Sequence, residues 1–381
     1  MAMPDQTRSI SPEPADLITL FLCGDVMLGR GIDQILPHPG DPRLYEPAVA
    51  LATMYVELAE KVNGPIPRPV DFPYVWGDAL DVLRRLQPDL KIINLETSIT
   101  RSTDFLPKGI NYKMNPDNAA CLTAAGIDCC VLANNHVLDW GRAGLLETLE
   151  TLETVGVKSV GAGRSAAEAE AAAILRVPGK GRVLVFAFGS MSSGIPDHWA
   201  ASSDQPGVHL LADLSERTVE RIAARTLAVK QARDMLVASI HWGGNWGYEI
   251  PAQQRRFAHR LIDRAGFDVI HGHSSHHPKG IEVYRGKPIM YGCGDFLNDY
   301  EGIAGYEEFR DDLVVMYLPR LATSSGQLVN LSLIPFQIRK FRLNRASEED
   351  SAWLRGTLSR ESSRFGVEVQ LNEDDSLSVT W

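Results

Sequence analysis

Residues 267–299 read FDVIHGHSSHHPKGIEVYRGKPIMYGCGDFLND. The apolar pair Val269-Ile270 closes what reads as a short buried strand, and His271, His273, His276 and His277 follow within seven residues. The chain has 10 histidines in all, so this one strand end collects a large share of them. Imidazole is a common transition-metal ligand and carries protons near neutral pH. Gly272, between the first two, allows another backbone to come close. Packing alone does not account for such a cluster, so the stretch points to chemistry at the carboxyl end of a strand. Just beyond it, two short apolar runs around Arg285-Gly286 give a hairpin signal.

Upstream, the same strand-then-polar-residue pattern recurs. Residues 17–23 (LITLFLC) form a continuous apolar run, as in a strand buried on both faces, and lead into Gly24-Asp25. Residues 90–95 deliver Glu96, and 127–133 open into Asn134-Asn135-His136. The strand predicted at 235–240 is followed by His241-Trp242-Gly243-Gly244-Asn245. Further strands are expected at 157–161 and 183–188. Helical periodicity is expected over 48–61, 79–86, 118–125, 145–155, 166–173, 214–233 and 253–265. Alternating strands and helices predict an α/β fold whose mostly parallel sheet is covered on both faces. After residue 281 the helices drop out. Strands at 313–318 and 328–341 then predict a second, more antiparallel sheet, followed by a helix at 351–364 and a last short strand.

The organisation expected is a disordered tail over 1–16, one domain over 17–345, and a helix and strand over 346–381 packing on that domain. Prolines crowd residues 37–76, which reads as an insertion over the surface, either a substrate-facing lid or a structural loop. A hydrophobic content of 44% with 23% charged residues is that of an ordinary globular chain. The formal net charge of -10 and the lack of a basic run argue against nucleic-acid binding. The 5 cysteines contain no CxxC pair and sit mostly in apolar runs, the usage of a reducing compartment. Neither a signal peptide nor an apolar run of membrane-spanning length is evident. A cytoplasmic location is therefore expected. The sequence carries no signal for oligomeric state.

The polar residues collected at strand ends are Asp25, Glu96, Asn135, His136, His241, His271, His273 and His276. Carboxylate, amide and imidazole together suit a divalent Zn, Mn or Fe ion. Without thiolates a purely structural zinc site is disfavoured. A carboxylate bridging two ions would give a two-metal site for displacement at a phosphoryl or acyl centre. The same groups also suit metal-free acid–base chemistry. Arg30, Trp242, Asn245 and Asp295 are the candidate substrate-binding residues. His271 reads equally as a supporting group or a core histidine, and His277 as solvent-facing. Trp246 and Tyr248 read equally as cleft lining or aromatic packing.

Several segments together resemble a known family. They are GDVMLGR (24–30), NLETSIT (94–100), AGIDCCVLANNHVLDWGRAGLLET (125–148), GAGR (161–164), HWG (241–243), GHSSH (272–276) and IEVYRGKPIMYGCGDF (281–296). In this order they are similar to the capsule-synthesis CapA family of poly-γ-glutamate biosynthesis, a branch of the calcineurin-like metallophosphatase superfamily. The resemblance implies a four-layer α/β/β/α sandwich with one or two divalent metal ions at the strand ends. It implies that Asp25, Glu96, Asn135, His241, His273 and His276 hold metal, with Glu96 as the bridging carboxylate. His136 is the implied general acid, with Asp25 and His273 also in catalytic positions. Two departures stand out: Met27 where the superfamily has a histidine, and Gly294-Asp295-Phe296 where it has Gly-Asn-Phe. The implied activity is metal-dependent hydrolysis of a phosphoester or amide in a small anionic or peptide-like substrate. A peptide epimerase using the same groups and a non-catalytic accessory protein are the alternatives.

Overall fold

The computed structural model describes residues 16–381, so the tail expected over 1–16 falls outside the described residues save for Asp16. Leu17–Val26 (β1) is mostly apolar up to Gly24-Asp25 because it runs through a sheet covered on both faces. Its side chains alternate: Ile18, Leu20 and Leu22 enter one apolar layer, Phe21 and Cys23 another. Leu90–Leu95 (β2), Cys129–Val131 (β3) and Lys158–Val160 (β4) continue the sheet in parallel, each beside the strand before it. Thr53–Asn63 (α1), Ala79–Leu86 (α2) and Gly141–Thr154 (α3) cover the outer face, with Val56, Val82 and Leu145 in the layer of Phe21.

A second sheet takes Ala173–Val177 (β5), Gly181–Gly189 (β6), Met235–His241 (β7), Val269–His273 (β8), Ile281–Tyr284 (β9) and Lys287–Met290 (β10). Its order is β9-β10-β8-β7-β6-β5, with parallel inner pairs and antiparallel edges. Glu216–Val229 (α4) and Ala252–Ala265 (α5) lie on its outer face, where Ile222 and Phe257 meet Leu236 and Ile240. Between the sheets, Leu20 and Leu22 of β1 pack in one layer with Val237 of β7 and Val269 of β8. Helix, sheet, sheet, helix is the four-layer α/β/β/α sandwich.

The chain then returns to the first sheet. Asp295–Leu297 (β11) runs parallel to the end of β1, while Leu313–Ala322 (β12) runs antiparallel to its beginning. Leu328–Ile338 (β13), Leu343–Arg345 (β14), Glu368–Leu371 (β15) and Leu377–Thr380 (β16) add in antiparallel pairs. The antiparallel C-terminal strands are thus present, but they widen the first sheet instead of standing apart as another one. Helix Glu348–Ser362 (α6) sends Leu354 and Leu358 into the layer between the sheets.

Some expected elements are shorter than their periodicity suggested: the helix over 214–233 is Glu216–Val229, and that over 118–125 is Ala120–Ala124. The Ala/Glu helix over 166–173 is a single turn, Ala166–Ala169, and Ala173 already begins β5. Ile174 and Arg176 point outward while Ala173, Leu175 and Val177 are buried, the two-residue period of an edge strand. In the proline-rich segment 37–76, Tyr55, Val56 and Ala59 of α1 are buried in the outer layer.

Candidate metal centre

The site lies where β1, β2, β3, β7 and β8 end at their carboxyl termini. Parallel β7 and β8 run in register, with Ser239 beside His271 and His241 beside His273. In a strand, alternate residues share a face. The row that begins apolar at Val237 and Val269 therefore ends as Ser239, His241, His271 and His273, turned toward the first sheet. Gly272 falls in the other row, where a Cβ would press on the Met290 and Tyr291 carbonyls. The strand thus runs to His273, three residues past the end expected from its apolar run.

From the first sheet, β1 brings Asp25 between Asn94 of β2 and Asp295 of β11. The ladder shifts register on both sides of Asp25, a bulge of the kind that re-aims side chains beside functional sites. Gly24 lies so close to the Gly294 carbonyl that no side chain fits there. Asn94 Nδ2 donates to Asp25 Oδ1 at 2.7 Å, while Asp25 Oδ2 is buried with no hydrogen-bond partner. Asp25 groups with His241 and His273 on one side, and with His276 and Asp295 on the other, at metal-ligand spacing. Glu96 Oε1 lies 4.0 Å from His241 Nε2 and 3.8 Å from His136 Nε2.

His136 follows β3 in a turn held by Asn134. The Asn134 Oδ1 accepts from the backbone of His136 and Val137, and its Nδ2 donates to Asn94 Oδ1 and the Leu95 carbonyl. His136 Nδ1 meets Asp139 Oδ2 at 2.6 Å, Tyr112 stacks on the ring at 3.8 Å, and Lys108 pairs with Asp139 Oδ1 at 2.6 Å. With its proton on Nδ1 toward Asp139, the imidazole turns a bare Nε2 to Glu96.

The electrostatics of the cluster favour a cation. Burial lifts Asp25 to about 6 and Glu96 well above the carboxylate range, the latter pushed further by Asp25 beside it. Burial holds His136 at about 4 and depresses His241 and His273 strongly. Only His276 goes up: burial lowers it, but the Asp295 carboxylate at 2.9 Å more than offsets this. Hydrogen-bond counting agrees. The Cys23 carbonyl, His271, Ser239, His273, His241 and Asn135 Oδ1 are joined by five contacts of 2.7–3.0 Å. Three neutral imidazoles and one hydroxyl supply four protons for them. The count is one proton short with Asn135 Oδ1 turned to His241, an arrangement that a cation beside His241 would favour, and Asp25 Oδ2 is a buried oxygen still without a partner. The donor set of carboxylate, imidazole and amide fits a divalent Zn, Mn or Fe ion.

Residues 19–300 match the family model described as Bacterial capsule synthesis protein PGA_cap. The chain belongs to the PGA_cap family. A "Probable polyglutamine synthesis accessory protein" of Mycobacterium tuberculosis is 50% identical over 366 residues, 96% of each chain. The "PGA biosynthesis protein CapA" of Bacillus subtilis is 27% identical over 314 residues, 82% of this chain and 70% of that one. A solved phosphatase structure from Mycoplasma pneumoniae aligns over 84% of this chain and 94% of its own, at 10% identity and a TM-score of 0.46.

In this PGA_cap member the expected site residues divide into two groups. Asp25, Glu96, Asn135, His136, His241, His273 and His276 converge on the site, and Asp295 joins them as a member of a ligand group. Asp25, rather than Glu96, is common to both groups of possible ligands. Met27 is buried and its sulfur accepts from Gly29 N at 3.2 Å. Asp295, paired with Asp25 across neighbouring strands, is the second carboxylate of the group with His276.

Two expected substrate contacts are corrected. Arg30 is 3% exposed. Its guanidinium is consumed by Asp299, Glu46 and the Tyr55 hydroxyl, with Tyr55 and Tyr112 against its faces. Four of its five N–H donors are thus engaged, so Arg30 ties the proline-rich segment, through Glu46 and Tyr55, to Asp299. Trp242 is buried in the outer layer of the second sheet and donates to the Tyr291 carbonyl. Asn245 is exposed, and its backbone carbonyl accepts from His276 N at 2.9 Å. His277, expected to face solvent, is buried against Trp246, Tyr248 and Phe309. Asp139, Asn134 and Lys108 were not singled out from sequence. The spacing of three residues from His136 to Asp139, inside one turn, was the available sign.

Proposed function

We propose that this PGA_cap member is a metal-dependent hydrolase acting on a phosphoester or amide of a carboxylate-rich substrate. The carrying observation is the pair of buried ligand groups that share Asp25 and leave its Oδ2 without a partner. Asp25, His241 and His273 would hold one ion and Asp25, His276 and Asp295 a second, with Glu96 and Asn135 alongside. A bound divalent ion supplies Lewis acidity and makes water a better nucleophile near neutral pH.

The chain's own residues handle protons and position. Starting with a bare Nε2, His136 takes up a proton and passes it to the departing oxygen or nitrogen. Asp139, held by Lys108, keeps the ring oriented and steadies its charged form. Burial of Asp25 and Glu96 keeps bulk water from screening the site, so each charge acts over a longer range. The relatives' names, polyglutamine synthesis and PGA biosynthesis, together with the family description, favour a polyglutamate-type chain as substrate.

The test is hydrolysis of poly-γ-glutamate oligomers and of an aryl phosphate by the purified protein. Chelation should abolish turnover, Mn2+ or Zn2+ should restore it, and His241→Ala should stay inactive. Turnover that survives both complete metal stripping and His241→Ala overturns the proposal. The accessory reading has one specific support, the burial of Met27 where a ligand is expected. Unchanged polymer production in cells carrying Asp25→Asn with His273→Ala would favour it over catalysis.

A further inference from the structure

We infer that His271 and Ser239 are positioning residues: anchored on the Cys23 carbonyl, they keep the His273 proton on Nε2 and leave Nδ1 bare toward Asp25. This rests on the metal-centre reading above and assigns a role to two buried residues outside the ligand groups.

The direction of the relay follows from its fixed end. His271 Nε2 lies 2.7 Å from the Cys23 carbonyl, part of the β1 backbone, which can only accept. His271 therefore carries its proton on Nε2 and offers a bare Nδ1 to Ser239 Oγ, 3.0 Å away. The hydroxyl has one proton and gives it to that nitrogen. Its oxygen then accepts from His273 Nε2 at 2.9 Å. His273 is left with a bare Nδ1, which lies 2.7 Å from His241 Nδ1 and 3.9 Å from Asp25 Oδ1.

Reading the chain from the opposite end, with His241 Nε2 donating to Asn135 Oδ1, would set two acceptors against each other at Cys23. A backbone carbonyl within a strand cannot turn away. The Asn135 end, by contrast, is a side chain beside the space where a cation would sit. The fixed end decides. All four relay side chains are fully buried or nearly so, so water offers no competing partner. An aliphatic residue would fill the place of His271 without a polar requirement, yet both of its ring nitrogens are matched.

The measurement is two-bond 1H–15N correlation of 15N-histidine protein, which separates Nδ1–H from Nε2–H, alongside calorimetric titration with Zn2+. Wild type is expected to show His273 with Nε2–H, both metal-free and Zn2+-loaded. Ser239→Ala and His271→Leu should weaken Zn2+ binding by about 10- to 100-fold, the usual range for lost outer-shell partners. His271→Gln, which keeps one donor and one acceptor, should restore most of it. If His271→Leu does not fold, Ser239→Ala carries the test. His273 with Nδ1–H in wild type, or unchanged affinity and tautomer in folded Ser239→Ala, overturns the inference. Wild type that takes up no Zn2+ defeats the metal-centre reading, and the metal-free tautomer still decides the relay.

Discussion

Asp139 and Arg30 differ in what they do for the site, and single substitutions separate them. Asp139 touches the His136 ring, the proposed proton carrier, so Asp139→Asn should lower kcat by about 10²- to 10³-fold, with Zn2+ uptake unchanged by elemental analysis. Equal loss of metal and activity would make Asp139 a folding residue instead. Arg30 pairs with Asp299 and Glu46 in a buried network. Removing the cation strands two buried carboxylates, which typically costs about 3–5 kcal/mol. Arg30→Met should therefore shift the urea midpoint downward. A raised KM with unaltered stability would return Arg30 to the substrate side. Asp25, His136, His241 and His273 were legible because each ends an apolar run. Arg30 was misread because its partners Asp299 and Glu46 lie far from it in sequence or inside the insertion, and no local pattern joins them.

At the scale of elements, the strands buried on both faces were the clearest signal, since β1, β2, β7 and β8 are mostly apolar before the polar residues at their ends. Where those runs stopped was harder to see. His271 and His273 look like loop residues by hydropathy, yet they are the polar end of the β8 row that begins at Val269. The edge strand β5 was hidden by the Ala/Glu composition just before it. Which sheet the late antiparallel strands joined depended on long-range pairing with β1, which local pattern does not record. His209, beside the end of β6, offers a pH test at this scale. Burial and then Arg225 hold it down to about 4, below an unfolded value near 6.5. Its contribution to stability is complete above about 6.5 and is lost as pH falls toward 4. His209→Gln should flatten the fall in Tm across that window. A Tm-versus-pH curve parallel to wild type would remove His209 from the list of acid-sensitive groups.

For the molecule as a whole, two sheets face each other across a layer that is apolar along most of its depth and polar at one end. Leu20, Val237 and Val269 bind the sheets together, and the same strands then deliver Asp25, His241 and His273 to a common space. Fold and site are therefore one construction, and the substrate lies outside what either specifies. Among the described residues no helix is long and apolar enough to cross a membrane. The central claim is that the end of this layer holds a divalent cation through Asp25. Calorimetric titration of Mn2+ into chelator-stripped protein tests it most directly, with Asp25→Asn in parallel. Saturable, stoichiometric binding by wild type and its loss in a folded Asp25→Asn variant is the expected result. No uptake by wild type, or uptake of the same affinity by the variant, would contradict it.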